Sequence, residues 1–297
     1  HRGLGHLRIK KGISMYDRLC TDLCASHPAQ AVLAAYADRL DRFPLEHCRS
    51  AMGRYLLVTD KADSMEEAQR LGMGSVLADE QFGTHSLLPH LAWVDSPIPD
   101  SCSLFLFDMG NVVVKNITML GKIARGYRLD REEFFADYLH YEFPLMEGVL
   151  RSAEYWAHVK DVFGVEVEGD PFFDAFEPVF NDEVVTVIGA LRKAGKRVVC
   201  ASNTIEAHWR ILESMGALDL FDEVYASHLM RTTKPSRNFF EQILHREGCS
   251  IADAYFVDDH EPNIQRARGF GLASLLYADK AGRTASERLA SAFSSVL

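Results

Sequence analysis

The sequence lacks the long apolar run that a membrane-spanning helix requires. A span needs about eighteen or more consecutive apolar residues, and no stretch of the 297 residues reaches that length. It also lacks an excess of positive charge, since 32 Lys and Arg stand against 42 Asp and Glu, for a net charge of -10. Such a field repels phosphate backbones. We therefore expect neither a membrane nor a nucleic acid as partner, and a small substrate for any active site.

Paired cysteines are missing as well. The six cysteines are scattered through the chain without a CxxC spacing, which argues against both a disulfide framework and a zinc site. The basic start, HRGLGHLRIKKGIS, lacks the continuous apolar segment of a secretory signal. Residues 1–14 are either an expression remnant or an upstream extension, and we set them aside. The expected location is the cytoplasm.

The first third of the chain has a helical pattern. Apolar residues recur three and four positions apart in AQAVLAAYADRLDRF and in SMEEAQRLGMGSVLADEQF. The segment VDSPIPDSCS, residues 94–103, then gathers the prolines, aspartates and serines of a linker. No internal repeat is apparent. We predict a helical N-terminal region over residues 15–95, of unknown role.

The pattern after the linker is that of an α/β protein. Five short apolar runs read as strands: LFLF (104–107), RVVCA (197–201), DEVYA (222–226), AYFV (254–257) and LASLLY (272–277). Amphipathic helical segments separate most of these runs. The alternation predicts a doubly wound, Rossmann-like parallel sheet with helices on both faces, formed by residues 103–114 and 196–297.

About eighty residues separate the first two predicted strands, too many for a single crossover helix. This segment is rich in aromatic residues, as in EEFFADYLHYEF and AEYWAHVKDVF. We predict that residues 115–195 form a helical cap inserted over the end of the first strand.

Polar side chains stand where four of the predicted strands end. They are Asp108 after LFLF, Ser202 and Asn203 after RVVCA, Lys234 in the loop after DEVYA, and Asp258 and Asp259 after AYFV. Each one alone would also suit a helix cap, a turn or a solvated loop. Ligands of open parallel sheets bind at the carboxyl ends of the strands, so their joint occurrence predicts an active site at this edge.

The residue types at this edge indicate phosphoryl transfer. Three carboxylates repel one another unless a cation joins them, and an oxygen-only ligand set without Cys or His favours Mg²⁺. Lysine and serine side chains supply donors for an anionic group. A metal, a lysine and a carboxylate nucleophile together provide the charge neutralisation and in-line attack that the reaction needs.

These residues also carry a family resemblance. DMGNV, ASNT, TKPS and VDDHEPN, in this order, resemble the four motifs of the haloacid dehalogenase superfamily, most members of which are Mg²⁺-dependent phosphatases. The resemblance covers about residues 103–297. Its FDxGNV form of the first motif is similar to the small sugar-phosphate phosphatases of the glucose-1-phosphate phosphatase type. It implies a phosphatase for small phosphate monoesters, sugar phosphates among them.

The resemblance also implies roles for the residues that match the motifs. Asp108 would be the nucleophile that forms an aspartyl-phosphate intermediate. Lys234 would share in catalysis and, with Ser202 and the backbone N–H of Asn203, would hold the phosphoryl oxygens.

The same comparison implies a metal-ligand set. Asp108, the backbone carbonyl of Gly110, Asp258 and Asp259 would bind Mg²⁺, Asp258 either directly or through water. Asn263 would orient the outer shell of the metal.

One position departs from the family pattern. The usual first motif is DxDxT, in which the second aspartate serves as general acid and base, and Gly110 stands at that position here. A haloacid dehalogenase proper also lacks this aspartate, but it needs no metal and lacks the acid pair of the fourth motif. A non-catalytic regulatory protein with the same fold is a second alternative, and a phosphomutase is disfavoured because it depends on the missing acid.

The sequence leaves the substrate and the oligomeric state open. Cap residues would select the substrate, and His140, Tyr141, Glu147 and Arg151 are candidates. All four suit the solvated or core faces of amphipathic helices equally well.

Overall fold

A computed structural model describes residue 16 and residues 18–42, 55–71, 73–88 and 90–294. The chain divides into two compact units, one ending at Val94 and the other beginning at Asp95. Residues 1–14, set aside above, and Cys48 lie outside the described residues. No two of the described cysteines, Cys20, Cys24, Cys102, Cys200 and Cys249, form a disulfide with each other. No helix in the described ranges combines the length and the apolar character needed to cross a membrane.

The first unit is built on a parallel sheet. Its strands are β1 (Arg18–Thr21), β2 (Leu40–Arg42), β3 (Tyr55–Thr59) and β4 (Gly74–Leu77), in the order β2-β1-β3-β4. Its helices are α1 (Ala29–Leu33), α2 (Ala62–Arg70) and α3 (Thr84–Leu87), with a 3₁₀ turn at Ala34–Arg39.

The prediction of a helical region over residues 15–95 is therefore wrong. The helical periodicity is real within α1 and α2, but it was extended across strands of three to five residues. β2 is the polar tripeptide LDR, and β4 is only half-buried. These two strands show neither an apolar run nor a clear alternation, which are the signals that identify a strand in sequence, whereas β3 is a buried apolar run that the sequence analysis missed.

The second unit contains the predicted parallel sheet. Its strands are β5 (Leu104–Phe107), β6 (Val114–Lys115), β7 (Val179–Phe180), β8 (Arg197–Ser202), β9 (Glu223–Ala226), β10 (Ala254–Asp258) and β11 (Ala273–Leu276). Five of them pair in the order β11-β10-β5-β8-β9, every pair parallel. All five predicted strands are confirmed, and the three central ones, β10, β5 and β8, are apolar runs because they are covered on both faces.

Helices surround this sheet and form the cap. They are α4 (Leu120–Gly126), α5 (Arg131–Met146), α6 (Ser152–Phe163), α7 (Pro171–Asp174), α8 (Asp182–Lys193), α9 (Glu206–Ser214), α10 (Ser227–Met230), α11 (Arg237–Glu247), α12 (Glu261–Gly269) and α13 (Ala285–Ala292). Two 3₁₀ turns, Leu218–Leu220 and Ile251–Asp253, complete the unit.

The cap consists of α4 to α7 and is shorter than predicted. The antiparallel pair β6–β7 forms its stem, and Phe134, Tyr155, Trp156 and Phe172 are buried in its own apolar cluster. The proposed end at residue 195 is wrong. The apolar face of α8 lies instead in the cluster of the main sheet, so the cap ends at β7.

The last turn of α5 is fixed to the main body of the unit. The Ser227 hydroxyl donates to the Met146 carbonyl at 2.6 Å and accepts the Thr204 N–H at 2.9 Å. Gly148 follows α5 with a φ of 63°, and a Cβ there would lie 2.6 Å from the His228 carbonyl oxygen. Only glycine permits this approach without strain. The cap helix therefore has a defined position over the sheet edge.

The structure reveals an internal repeat that the sequence inspection missed. The order β2-β1-β3-β4 in the first unit corresponds to β8-β5-β10-β11 in the second. The correspondence holds residue by residue at one constant spacing: Tyr55–Thr59 matches Ala254–Asp258, Ala62–Arg70 matches Glu261–Gly269, and Gly74–Leu77 matches Ala273–Leu276. The strand registers agree as well, since Val58 pairs with Thr21 as Val257 pairs with Phe107.

Few side chains are shared between the two copies, which explains why the repeat escaped notice. The identical pairs include Val58 and Val257, Asp60 and Asp259, Ala68 and Ala267, Ser75 and Ser274, and Leu77 and Leu276. At the strand ends, Asp22 takes the place of Asp108, and Thr59 takes the place of Asp258. The first unit thus keeps the backbone of the second and aspartates at two of the three carboxylate positions, Asp22 and Asp60, but has Thr59 in place of Asp258.

An ion pair at the start of the second unit predicts how far the chain can be truncated. Fully buried Arg288 donates to both carboxylate oxygens of Asp95, at 2.8 and 2.9 Å. A chain beginning at Val94 keeps this pair, whereas a chain beginning at Pro97 leaves a buried guanidinium without that carboxylate. We expect the shorter chain to lose on the order of 3 kcal/mol in free energy of unfolding.

Denaturant unfolding of the two truncated chains measures this difference. The variant Asp95→Asn in the longer chain isolates the ion pair from the backbone contacts of Ser96 with Ser274 and Tyr255. Equal stability of the two chains would contradict the assignment of Asp95 as a structural residue of the second unit.

Candidate active site

Three carboxylates meet at the carboxyl ends of β5 and β10. Asp108 directly follows β5, Asp258 is the last residue of β10, and Asp259 comes next. One carboxylate oxygen of each lies within 4.8 Å of the others. Asp108 and Asp258 are buried. Asp108 therefore ends an apolar strand in the midst of other charges and does not serve as a simple strand cap.

Lys234 lies among these carboxylates. Its side chain is 1 % exposed, and its Nζ is 2.7 Å from Asp108 Oδ1 and 2.7 Å from Asp258 Oδ2. Burial disfavours the charge, but Asp108 and Asp258 outweigh that effect and raise the pKa of Lys234. The residue was predicted to hold phosphoryl oxygens. In the structure its ammonium group forms ion pairs with the two buried carboxylates.

Asn203 fixes the position of Lys234 through the backbone. Its Nδ2 donates to the Lys234 carbonyl at 2.9 Å, and its Oδ1 accepts the Lys234 N–H at 2.8 Å. Ser202, which was predicted beside it, is the buried last residue of β8, and its hydroxyl donates to the Asn203 carbonyl at 3.5 Å. The sequence suggested only the backbone N–H of Asn203, so the clamp formed by its side chain is new.

Neighbouring amides orient the fourth-motif carboxylates. Asn263 Nδ2 lies 3.1 Å from both oxygens of Asp258, and the His260 N–H donates to Asp258 Oδ1 at 2.7 Å. Asn111 Nδ2 donates to Asp259 Oδ2 at 2.9 Å. The sequence analysis missed Asn111. The sequence feature that could have identified it is an asparagine immediately after Gly110. Asn111 has a left-handed φ of 55°, a conformation that asparagine tolerates better than most residues.

The charge balance at this edge is negative. Three carboxylates face one ammonium group, so two negative charges remain uncompensated. Burial raises the pKa of Asp108 to about 7, with Lys234 opposing the rise and Asp258 and Asp259 adding to it. Burial and the charge of Asp258 likewise raise the pKa of Asp259. A hard divalent cation with oxygen ligands would supply the missing charge, so the donor set fits Mg²⁺.

Gly110 leaves the position next to the nucleophile candidate without a side chain. A Cβ added there would meet Ile117 Cδ1 at 2.9 Å, the end of a flexible side chain. A small rotation of Ile117 would therefore admit a carboxylate at this position.

A cavity of about 640 Å³ extends from this edge beneath the cap. Its wall includes Gly110, Asn111, Ser202 and Asn203 on one side and residues of α4 and α5 on the other. About half of the remaining lining residues are apolar: Met109, Val114, Ile117, Met119, Leu120, Phe135, Met146, Phe176, Ile205 and Leu212. Lys122, Arg125 and Arg131 add positive charge on the cap side.

The four cap residues predicted as substrate-selecting candidates do not line this cavity. His140 Nδ1 lies 2.8 Å from the Ala136 carbonyl, within α5. The Tyr141 hydroxyl approaches His158 Nδ1 at 3.5 Å, inside the cap. Glu147 accepts a hydrogen bond from Thr233, and Arg151 pairs with Glu154 at the start of α6. Each of the four thus contacts another residue of the second unit.

Two curated proteins resemble parts of the chain. Phosphate metabolism protein 8 of Saccharomyces cerevisiae is 24 % identical over 207 residues, which are 61 % of this chain and 63 % of that protein. Sesquiterpene phosphatase astK of Aspergillus oryzae is 38 % identical over 61 residues, 20 % of this chain and 31 % of that protein. The chain thus spans less than two thirds of either relative.

A solved structure shares the fold of the second unit. An enzyme of the haloacid dehalogenase (HAD) family, BT-2542 from Bacteroides thetaiotaomicron, was crystallised as a mutant with magnesium and inorganic phosphate. It matches with a TM-score of 0.51 and 23 % identity, covering 61 % of this chain and 96 % of that one. The model of the haloacid dehalogenase-like hydrolases matches residues 102–271. Because this match spans more than half of the sequence, the chain belongs to the family of haloacid dehalogenase-like hydrolases.

Proposed function

We propose that the protein is a Mg²⁺-dependent phosphatase that hydrolyses small phosphate monoesters through an aspartyl-phosphate intermediate. The observation that supports this most strongly is the meeting of Asp108, Asp258 and Asp259 within 4.8 Å, with the ammonium group of Lys234 between two of them. A carboxylate nucleophile beside a cation site is what phosphoryl transfer requires.

Each residue has a proposed role in this reaction. Asp108 attacks phosphorus, and Lys234 and the Ser202 hydroxyl hold the phosphoryl oxygens with the Asn203 N–H. The ligands of Mg²⁺ are Asp108, the Gly110 carbonyl, Asp259 and Asp258, the last directly or through water. Asn263 and Asn111 orient the acid pair. The bound ion supplies charge neutralisation for the transferred group.

The acid pair also distinguishes the phosphatase from the alternatives. A haloacid dehalogenase needs no metal, so it has no use for the two uncompensated charges at this edge. A non-catalytic protein would not need a buried lysine between two carboxylates, an arrangement with a high desolvation cost.

The cavity supports a substrate with an apolar organic group. Aliphatic and aromatic side chains line much of the wall, among them Leu120, Phe135 and Phe176, and would pack against such a group. The similarity to a sesquiterpene phosphatase, over a short segment, points in the same direction. We therefore propose esters of apolar alcohols ahead of the sugar phosphates expected from the sequence. The cations of α4 and α5 suit an anionic ester.

A comparison of two ester classes tests this choice. Each additional buried CH₂ contributes about 0.8 kcal/mol, or roughly fourfold in binding, so kcat/KM should rise with chain length across a series of alkyl or prenyl phosphates. Glucose phosphates should be poorer substrates than prenyl phosphates. A clear preference for the sugar esters would restore the expectation drawn from the sequence.

Metal dependence tests the function itself. We expect a chelator to abolish phosphatase activity and added Mg²⁺ to restore it, because two negative charges at the site otherwise oppose an anionic substrate. The variant Asn111→Ala removes the hydrogen bond to Asp259 and should raise the Mg²⁺ concentration for half-maximal rate by about 10- to 100-fold. Full turnover in excess chelator would contradict the proposal.

A further inference from the structure

Gly110 leaves the proposed phosphatase without the aspartate that serves its family as general acid and base. The departing alkoxide of an alkyl phosphate needs a proton, and positioned acid catalysis contributes about 10² to 10⁴ in rate. We therefore expect another titratable group in the wall of the cavity beside Gly110 to transfer this proton.

Most titratable groups of this wall are unsuited to the task. Arg125 and Arg131 stay protonated throughout. Lys122 is engaged with Glu177 at 2.6 Å. Burial raises the pKa of Tyr138, which makes its phenol a weaker acid than usual.

His208 is also excluded. Its ring stacks on Phe176 with centroids 4.0 Å apart, and its Nε2 lies 2.9 Å from Met119 Sδ. Burial lowers the pKa of His208 to about 4. The ring is therefore neutral near pH 7 and has no proton to give as an imidazolium.

Glu142 remains. It lies on α5, on the same helix face as Phe135, Tyr138 and Met146, which line the cavity with it at spacings of three and four residues. It is half-buried. Within the described part of the chain no hydrogen bond or ion pair holds its carboxylate. Glu142 is one turn from Met146, whose carbonyl is fixed by Ser227, so its position over the sheet edge is defined.

The burial of Glu142 favours an acid. Burial raises its pKa, and His260, on the loop after β10, partly opposes this effect. Tyr138 faces it from the same helix, and the cations Lys122, Arg125 and Arg131 line the same cavity. A carboxyl group that keeps its proton to higher pH than an exposed glutamate is suited to protonate a leaving oxygen.

We propose that Glu142, contributed by the cap, replaces the missing aspartate as the general acid and base of the reaction; this inference rests on the proposed phosphatase function. Asp108 attacks phosphorus, and the bond from phosphorus to the ester oxygen breaks with its electron pair on that oxygen. The oxygen takes the proton of Glu142 and leaves as the alcohol. The Glu142 carboxylate then accepts a proton from the water that attacks the aspartyl-phosphate, which releases inorganic phosphate and restores Asp108.

Two esters separate the two proton transfers. Nitrophenolate is a good leaving group and needs no proton, whereas a primary alkoxide does. In Glu142→Gln at saturating Mg²⁺, nitrophenyl phosphate should give a rapid burst of nitrophenol equal to the enzyme concentration. Slow turnover should follow, because the second step has lost its base. An alkyl phosphate should show no burst and a fall in kcat of about 10²- to 10⁴-fold.

Matched variants complete the test. Glu132→Gln makes the same change on an exposed position of α5 and should behave as wild type. Gly110→Asp with Ile117→Val returns a carboxylate to the usual position and should restore alkyl phosphate turnover to Glu142→Gln.

Two results overturn the assignment. One is Glu142→Gln with wild-type kcat on both esters, and the other is a rise in KM alone, without the burst. A wild-type protein that hydrolyses no phosphate ester with Mg²⁺ would instead refute the phosphatase function, whatever Glu142 does.

Discussion

Replacing Asp108 with asparagine is expected to lower kcat by about 10⁴-fold or more, because the amide has the volume of the carboxylate but cannot attack phosphorus. The fold should remain, since Asp108 follows β5 and contributes no side chain to the apolar core. Steady-state kinetics at saturating Mg²⁺ measures the loss. Asp161→Asn, on the exposed surface of α6, is the matched control.

Although Asp108→Asn should abolish activity, we expect it to leave the stability of the folded protein unchanged or to raise it. Burial raises the pKa of Asp108 to about 7, which means that the folded protein holds the ionised form at a cost. An amide at this position removes that cost. In metal-free buffer above pH 7, we expect Asp108→Asn to melt at or above the temperature of the wild type. A variant that is both inactive and clearly less stable would show that Asp108 is a structural residue.

Lys234→Met should have the largest effect on stability. The side chain is fully buried between Asp108 and Asp258, so its removal leaves two buried carboxylates facing each other without the ammonium group. Removing one partner of a buried ion pair costs about 3–5 kcal/mol. Denaturant unfolding in metal-free buffer measures this loss, with Lys193→Met on the exposed end of α8 as control. Phosphatase activity should be lost as well.

A double variant shows whether the loss comes from the ion pair. Lys234→Met with Asp108→Asn removes one carboxylate together with the lysine, and it should be more stable than Lys234→Met alone. The coupling between contacting charges is typically about 0.5–3 kcal/mol. Strict additivity of the two changes would show that the 2.7 Å contact does not contribute to stability.

The sheet of the second unit could be predicted because its strands are buried on both faces. LFLF and AYFV are continuous apolar runs that no amphipathic helix would show. The end of the cap could not be predicted in the same way. α8 is amphipathic whether its apolar face meets the cap or the sheet, and only the packing of Val187 and Leu191 decides.

The candidate site was predictable at the level of residue types but not of contacts. Strand ends indicate which polar residues gather at one edge, and Asp108, Asp258 and Lys234 do gather there. The sequence does not show that Asn203 clamps the backbone of Lys234. Nor does it show which face of α5 overlies the edge, and so the cap candidates included Tyr141 and omitted Glu142.

The sheet of the first unit has the same strand order as part of the second, so its edge can be compared with the edge that carries the carboxylates. In the first copy, a threonine, Thr59, stands where the second has Asp258, and Asp22 is held by the Ser64 hydroxyl at 2.6 Å and by Lys61 at 3.2 Å. The carboxylate of Asp22 is held there through Oδ2, by a hydroxyl and a surface lysine. Thr59 stands in place of Asp258 while the strand order and the register stay the same, so the backbone of such a sheet does not require a carboxylate at that position.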